Sequence, residues 1–394
     1  MAAVKSYVDV FLSPSMQHYI SNNTLIGVWW NKATAAFWRP DFWLPAGLRW
    51  EDLVDTDDLR YPNFHDVCVY PLFLGVMLLL LKNFIVVPFL LDPLARLAGI
   101  PNNRPHPPVP SKVMEALYLR HGHMPPKEAL KEASDMADVS TRQAERWLRR
   151  RRALAKTTVY EKFIECGFNL LCHTSLTVYG VKMMYSKPWL WDISETWDNY
   201  PHHHVDDDMW WYYVAGLSYF WASAFLQVHS PGRSTFDKVQ MMLHHLFTVL
   251  LMMFSWSCNF TRAGSLVLLL HEVADVPLLT AKMLTYAGIS AFTDATFVVF
   301  IVSWAVTRCY LYPFWLMKEM FMQTDDYFQT PAFNFLYTLA CGLLVIDLVW
   351  TFLIIRVVMR KVTAGSLQDV RSDGEGVTTD KDEDESWRAK NKTE

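Results

Sequence analysis

"MMLHHLFTVLLMMF" occupies residues 241–254, eleven apolar residues of fourteen around two adjacent histidines. Runs of this kind recur along the chain. Crossing about 30 Å of hydrocarbon as a helix takes roughly 17 to 25 mainly apolar residues. Six clear segments meet that length: 67–91, 210–228, 241–256, 264–284, 295–316 and 333–358. A seventh, 163–184, is more polar because it carries Glu165, His173 and Lys182. With 52% hydrophobic and only 19% charged residues in 394, and 17 Trp, the composition excludes an ordinary soluble domain. It predicts an all-α polytopic membrane protein with about seven transmembrane helices.

The net charge of −4 says less than where the charges lie. "TRQAERWLRRRRALAK" (141–156) puts seven Lys or Arg just before the second span, which places this segment in the cytosol. The N-terminus then lies on the opposite, lumenal side, where Asn22 of Asn22-Asn23-Thr24 is a glycosylation acceptor. Seven spans return the acidic C-terminal tail "DKDEDESWRAKNKTE" to the cytosol as a solvated, disordered segment. No cleavable signal precedes residue 67, because the first residues lack a continuous apolar core. The cysteines in or beside spans (Cys68, Cys166, Cys172, Cys309, Cys341) read as packing residues rather than disulfide partners.

Ionisable groups inside the spans are the unusual feature. A charge at mid-bilayer costs roughly 2.5 to 3.5 kcal/mol on insertion scales, yet "GSLVLLLHEVADVPLLTAKML" (264–284) holds His271, Glu272 and Asp275 near its centre. Such groups persist when they face the interior of a bundle, pair, and serve a task. His271 and Asp275 are four apart and share a face, with Pro277 nearby to loosen the backbone; Glu272 is expected to point elsewhere. On the preceding helix His244 falls on a stripe with Gln240, Thr248 and Ser255. His245 falls instead with Met241, Val249, Met252 and Trp256, so His244 is the candidate for the polar interior. Asp294 starts the next span, and Arg308 lies on nearly the same face about 21 Å further along. In this orientation His244, Asp275 and Asp294 belong to the cytosolic half of the bilayer and Arg308 to the lumenal half.

An imidazole near a carboxylate in a dry cavity can act as general base or as nucleophile, because the carboxylate fixes the tautomer and stabilises imidazolium. A zinc site needs a further neutral or thiolate ligand at fixed geometry, and no cysteine stands at a suitable position on these faces. Proton abstraction or acyl transfer on a substrate entering from lipid is the chemistry indicated.

"HHLFTVLLMMFSWSCNFTRAGSLVLLLHEVADVPLLTAKMLTYAG" (244–288) resembles the Lag motif of the ceramide synthases, within a TLC domain. The pattern is met by His244, His245, Phe254, Ser255, Trp256, Asn259, Arg262, Gly264, His271, Asp275, Lys282 and Tyr286. "KPWLWDISETWDNYP" (187–201) resembles a lumenal loop of these enzymes, "TRCYLYPFW" (307–315) their sixth span, and "DVRSDGE" (369–375) their C-terminal motif. Glu272 stands where the family has Asp, Leu279 where it has Glu, and Thr285 where Asn is common.

The resemblance implies an endoplasmic-reticulum enzyme that N-acylates a sphingoid base with fatty acyl-CoA as co-substrate and without a cofactor. Membrane lipid, and a second copy or a related subunit in a dimer, are the further partners it implies. His244 takes the catalytic position with Asp275 activating it; His245, His271 and Asp294 support the site, and Thr248, Ser255 and Arg308 contact substrate. The segment 316–331 corresponds to the family's loop for acyl-chain length. The implied domains are 1–66 (lumenal), 67–91 (first transmembrane helix), 104–158 (truncated Hox-like segment), 159–360 (a TLC domain of six transmembrane helices) and 361–394 (tail).

In the Hox-like segment "STRQAERWLRRRR" (140–152) resembles the third helix of a homeodomain, but Arg150 stands where an adenine-reading Asn is needed. Nucleic acid is therefore not an expected partner, and a basic face toward anionic headgroups or CoA phosphates is. "HHHVDDD" (202–208) reads as a solvated connector rather than a metal site, and Asn259-Phe260-Thr261 as an acceptor pattern too close to the spans to be used. The rival function is a non-enzymatic TLC protein for lipid handling or translocation, which needs a bundle and a cavity but not this set of histidines and carboxylates.

Overall fold

The computed structural model describes residues 25–56, 59–102, 105–229, 235–322 and 330–364. Asn22 and the C-terminal motif at 369–375 lie outside them. All regular structure among the described residues is helical. In chain order the helices are α1 (Leu25–Phe37), α2 (Phe64–Leu97), α3 (Lys112–His121), α4 (Lys127–Met136), α5 (Thr141–Ala155), α6 (Val159–Met184), α7 (Asp207–His229), α8 (Thr235–Ser257), α9 (Thr261–Tyr286), α10 (Ser290–Met322) and α11 (Pro331–Ala364). Five of them, α2 and α8 to α11, are long and apolar enough to cross a membrane. The chain is a multi-pass membrane protein.

Six helices close into a ring. Neighbours in space run α6, α7, α8, α11, α10, α9 and back to α6, with α9 also touching α7 and α8. Helix α2 stands outside the ring against α7, where Gly75 brings its backbone close to the Ser218 carbonyl oxygen: a Cβ there would sit 3.0 Å from it. Apolar side chains of α2, α10 and α11 point outward, among them Phe73, Phe89, Val302 and Phe352. Such a belt is unfavourable in water and suited to lipid. Inside the ring the main core gathers Tyr212, Tyr213, Leu217, Trp256, Leu266, Tyr312 and Leu343.

Local sequence explains where helices begin. Ser140 and Gln143 form a reciprocal capping box at α5, and Thr158 with Glu161 another at α6. Pro277 is absorbed within a continuous α9, so the expected loosening ends no helix. The first crossing extends beyond the predicted 67–91 to Phe64–Leu97, with a π-helical stretch from Lys82 that accommodates Pro88.

Helices α3 to α5 make a separate small core from Met114, Leu117, Leu130, Ala133, Ala144 and Leu148. Arg151 clamps Glu115 across it, with nitrogen–oxygen distances of 2.8 to 3.1 Å. That ion pair holds Glu115 below the ordinary carboxylate range. Arg142, Arg146 and Arg150 remain exposed on α5.

The segment before α2 is tied to one end of the ring. Trp43 stacks on Phe254 at 4.9 Å, and Trp256 Nε1 donates to the Asn63 carbonyl at 2.9 Å. "HHHVDDD" is tied to the same end through its histidines. Tyr61 Oη meets His202 Nδ1 at 2.8 Å, the Arg60 amide donates to His204 Nδ1 at 3.1 Å, and Val205 donates to the Arg60 carbonyl at 3.0 Å. Each histidine serves a different structural bond.

Candidate active site

A cavity of about 60 Å³ lies within the ring, walled by α7 to α11. Its polar wall is His244, Thr248 and Ser255 from α8 with His271, Glu272 and Asp275 from α9. The remainder is apolar, with Leu251, Val267, Leu268, Phe260, Phe333 and Met320 among its residues. His244 and Ser255 are eleven residues apart on one helix, so the wall between them rises about 16 Å at 1.5 Å per residue. The cavity is amphipathic, its titratable groups gathered toward the end that His244 and Asp275 mark.

The stripe read from the sequence is present: His244, Thr248 and Ser255 all face the cavity, whereas His245 is buried outside its lining, beside Phe220. His244 is enclosed by the His245 and Trp350 rings, and among the described residues its buried Nδ1 has no hydrogen-bond partner. A buried nitrogen in that condition is costly unless it has a task. Asp275 lines the same cavity, and no hydrogen bond joins it to His244. Its Oδ2 instead receives Arg308 Nη2 at 3.4 Å.

Arg308 organises this wall. Nη1 donates to Asp347 Oδ1 at 2.9 Å and Nη2 to the His271 carbonyl at 2.5 Å, while Trp304 covers the guanidinium face at 4.9 Å. His271 Nδ1 meets the Val267 carbonyl at 2.8 Å and Nε2 meets Asp347 Oδ2 at 3.2 Å. Both ring nitrogens therefore face acceptors, while a neutral imidazole has one N–H to give. Arg308 thus lies at the depth of His271 and Asp275. The sequence-based separation into a cytosolic Asp275 and a lumenal Arg308 is corrected, because the long arginine side chain and the π-helical turn at Ala305–Met317 bring the guanidinium to the α9 carboxylate.

Two further residues depart from expectation. Glu272 does not point away: it is 1% exposed, lines the cavity, and takes His173 Nδ1 on Oε2 at 2.6 Å. It stands three residues before Asp275, a spacing that shares a helix face. Asp294 is absent from the lining and pairs at the surface with Lys361 of α11. Asp347, His173 and Tyr219 were not singled out for the site by sequence reasoning. An acid in the last apolar span was the available signal for Asp347. Among the described residues no three His, Cys, Asp or Glu side chains are grouped to hold a metal ion.

A family model described as TLC domain matches residues 162–356, the six ring helices. Human ceramide synthase 5 is 30% identical over 351 residues, 88% of each chain. Human ceramide synthase 3 is 31% identical over 341 residues, 86% of this chain and 88% of its own. Bovine ceramide synthase 4 is 29% identical over 350 residues, again 88% of both.

The chain belongs to the ceramide synthase family. The ceramide synthase pattern at 244–288 covers most of α8 and all of α9, the two helices that supply every titratable group of the cavity wall. Its Asn259 holds a backbone turn at φ +56° between them, with Nδ2 donating to the Pro201 and His203 carbonyls at 2.8 and 2.9 Å.

Proposed function

We propose that the protein is a ceramide synthase that N-acylates a sphingoid base with fatty acyl-CoA inside the ring cavity, with His244 as the reacting imidazole. The carrying observation is the cavity itself: His244 and Asp275 open onto one space whose remaining wall suits an alkyl chain. In the reaction the amine nitrogen bonds to the acyl carbon and the carbon–sulfur bond breaks. Of the two protons the ammonium gives up, one goes to the CoA thiolate and the other to the base, which passes it to water. An alkyl ammonium, like a lysine side chain, is protonated at neutral pH, so a base in a water-poor cavity is required. His244 supplies it directly or first takes the acyl group as an acyl-imidazole; Asp275, shared with Arg308, sets the field around it.

The proposed topology has seven crossings. Helices α6 and α7, at 26 and 23 residues, are long enough to join the five apolar ones at about 39 and 35 Å. The basic α5 then sits on the cytosolic face of the endoplasmic reticulum and the N-terminus in the lumen. Association with a second copy or a related subunit belongs to the same proposal.

Purified protein is to be assayed with labelled sphinganine and acyl-CoAs of graded length. His244→Ala and Asp275→Ala are expected to abolish ceramide formation at normal expression. Near-normal turnover by either variant would refute the assignment; a lipid-handling protein without chemistry would give no turnover even as the wild type.

A further inference from the structure

Glu272 is a second carboxylate of the cavity wall, beside Asp275. Its Oε2 is held by His173 Nδ1 at 2.6 Å, and His173 Nε2 by Tyr219 Oη at 2.9 Å, with the two rings edge to face at 4.9 Å. Three helices, α6, α7 and α9, thus build one chain of hydrogen bonds that ends on a carboxylate at the cavity wall. Nδ1 donates to the carboxylate, and the tyrosine hydroxyl completes the other side of the ring. Among the described residues no hydrogen bond reaches Oε1 of Glu272.

Asp275, Asp347 and Glu272 are three carboxylates of this region, and Arg308 contacts the first two but not the third. Glu272 has the His173 contact on Oε2, while among the described residues Oε1 is left without a partner of its own. A buried carboxylate oxygen in that position is unfavourable. A cation arriving at Oε1 supplies the missing partner.

We propose that Glu272, positioned by His173 and Tyr219, binds the ammonium group of the amine substrate. This rests on the proposed function for the identity of that substrate, since the thioester carries no positive charge and the sphingoid base does. Asp275 is the poorer anchor because Arg308 already occupies it. The two substrates then meet from different sides: the acyl carbon at His244 on α8, the nitrogen at Glu272 on α9.

The test is a comparison of wild type, E272Q and Tyr219→Phe, with KM measured separately for sphinganine and for acyl-CoA. E272Q is expected to raise KM for sphinganine on the order of ten- to hundredfold, the loss of a charge-assisted contact, and to leave KM for acyl-CoA unchanged. Tyr219→Phe, which preserves packing, is expected to raise the sphinganine value severalfold. Unchanged sphinganine KM, or an equal rise in both constants, overturns the proposal; should E272Q not accumulate, an unchanged sphinganine KM in Tyr219→Phe does so. Direct binding of labelled sphinganine to His244→Ala and to its double variant with E272Q separates this from the reaction assignment. Weaker binding only in the double variant supports an ammonium site whether or not His244 carries the chemistry. Equal binding by the two, with wild-type acyl transfer intact, sinks the ammonium site alone.

Discussion

Arg308 and Asp347 form a charge pair at 2.9 Å in the centre of the ring, the arginine side chain 1% exposed and the aspartate 2%. Removing one partner of such a pair leaves an uncompensated buried charge and costs roughly 3 kcal/mol or more, whereas removing both costs far less. Asp347→Asn also hands the whole guanidinium to Asp275, which it now touches only at 3.4 Å. The variant is expected to melt several degrees lower in detergent and to lose at least about tenfold in turnover. Asp347→Asn with Arg308→Gln is expected to recover most of the melting temperature and none of the activity. A single variant that melts with the wild type would show that the pair does not stabilise the ring.

At Gly264, α9 passes close to the side chains of α7 and α8. A Cβ there would overlap the Tyr213 hydroxyl and come within 2.7 Å of Ser255 Oγ, and those two groups already share a hydrogen bond at 3.2 Å. The neighbours are held in place, since Tyr213 also donates to the Thr261 carbonyl at 3.1 Å. Gly264→Ala is therefore expected to destabilise by about 1 to 3 kcal/mol through overpacking, and to narrow the apolar part of the cavity. Thermal melting together with turnover on short and long acyl-CoAs checks both. Unaltered melting would mean that Tyr213 can step aside.

The fold was legible because apolar runs of bilayer length leave few alternatives, and the stripe of His244, Thr248 and Ser255 because helical period alone decides which residues of one helix face one way. What the sequence did not show were the side-chain pairings between helices. His173 and Glu272 are 99 residues apart, His271 and Asp347 are 76 apart, and only the closing of the ring makes either pair neighbours. Asp294 misled for a related reason. It stands in the first turns of α10, near the end of α11, where Lys361 reaches it and its side chain stays 60% exposed. A carboxylate at the rim of a span is not an intramembrane one.

Asn259 fits the acceptor pattern for N-glycosylation but is 1% exposed, with both hydrogen bonds of its amide given to backbone carbonyls. The side-chain nitrogen that a sugar would have to join already fastens the turn between α8 and α9 to the 201–203 loop. Asn259→Gln is expected to leave electrophoretic mobility before and after glycosidase treatment unchanged, while lowering the melting temperature. A mobility shift lost in that variant would contradict the buried placement.

His203 ties the same loop to pH. Its Nε2 donates to the Asp198 carbonyl at 2.5 Å, and among the described residues its buried Nδ1 has no hydrogen-bond partner. Burial, with the Arg262 guanidinium nearby, pushes the imidazole down to about 4, against about 6.5 in an unfolded chain. Between those two values the unfolded chain binds a proton that the folded protein does not. The stability contributed by neutral His203 is thus complete above about pH 6.5, declines as pH falls through the window, and is gone below about 4; the whole amounts to about 3 kcal/mol. His203→Gln keeps a donor for Asp198 but cannot titrate. Melting temperatures in detergent at pH 7.5 and pH 5 are expected to differ by several degrees in the wild type and by clearly less in the variant. Equal differences in the two proteins would show that another group carries the acid sensitivity.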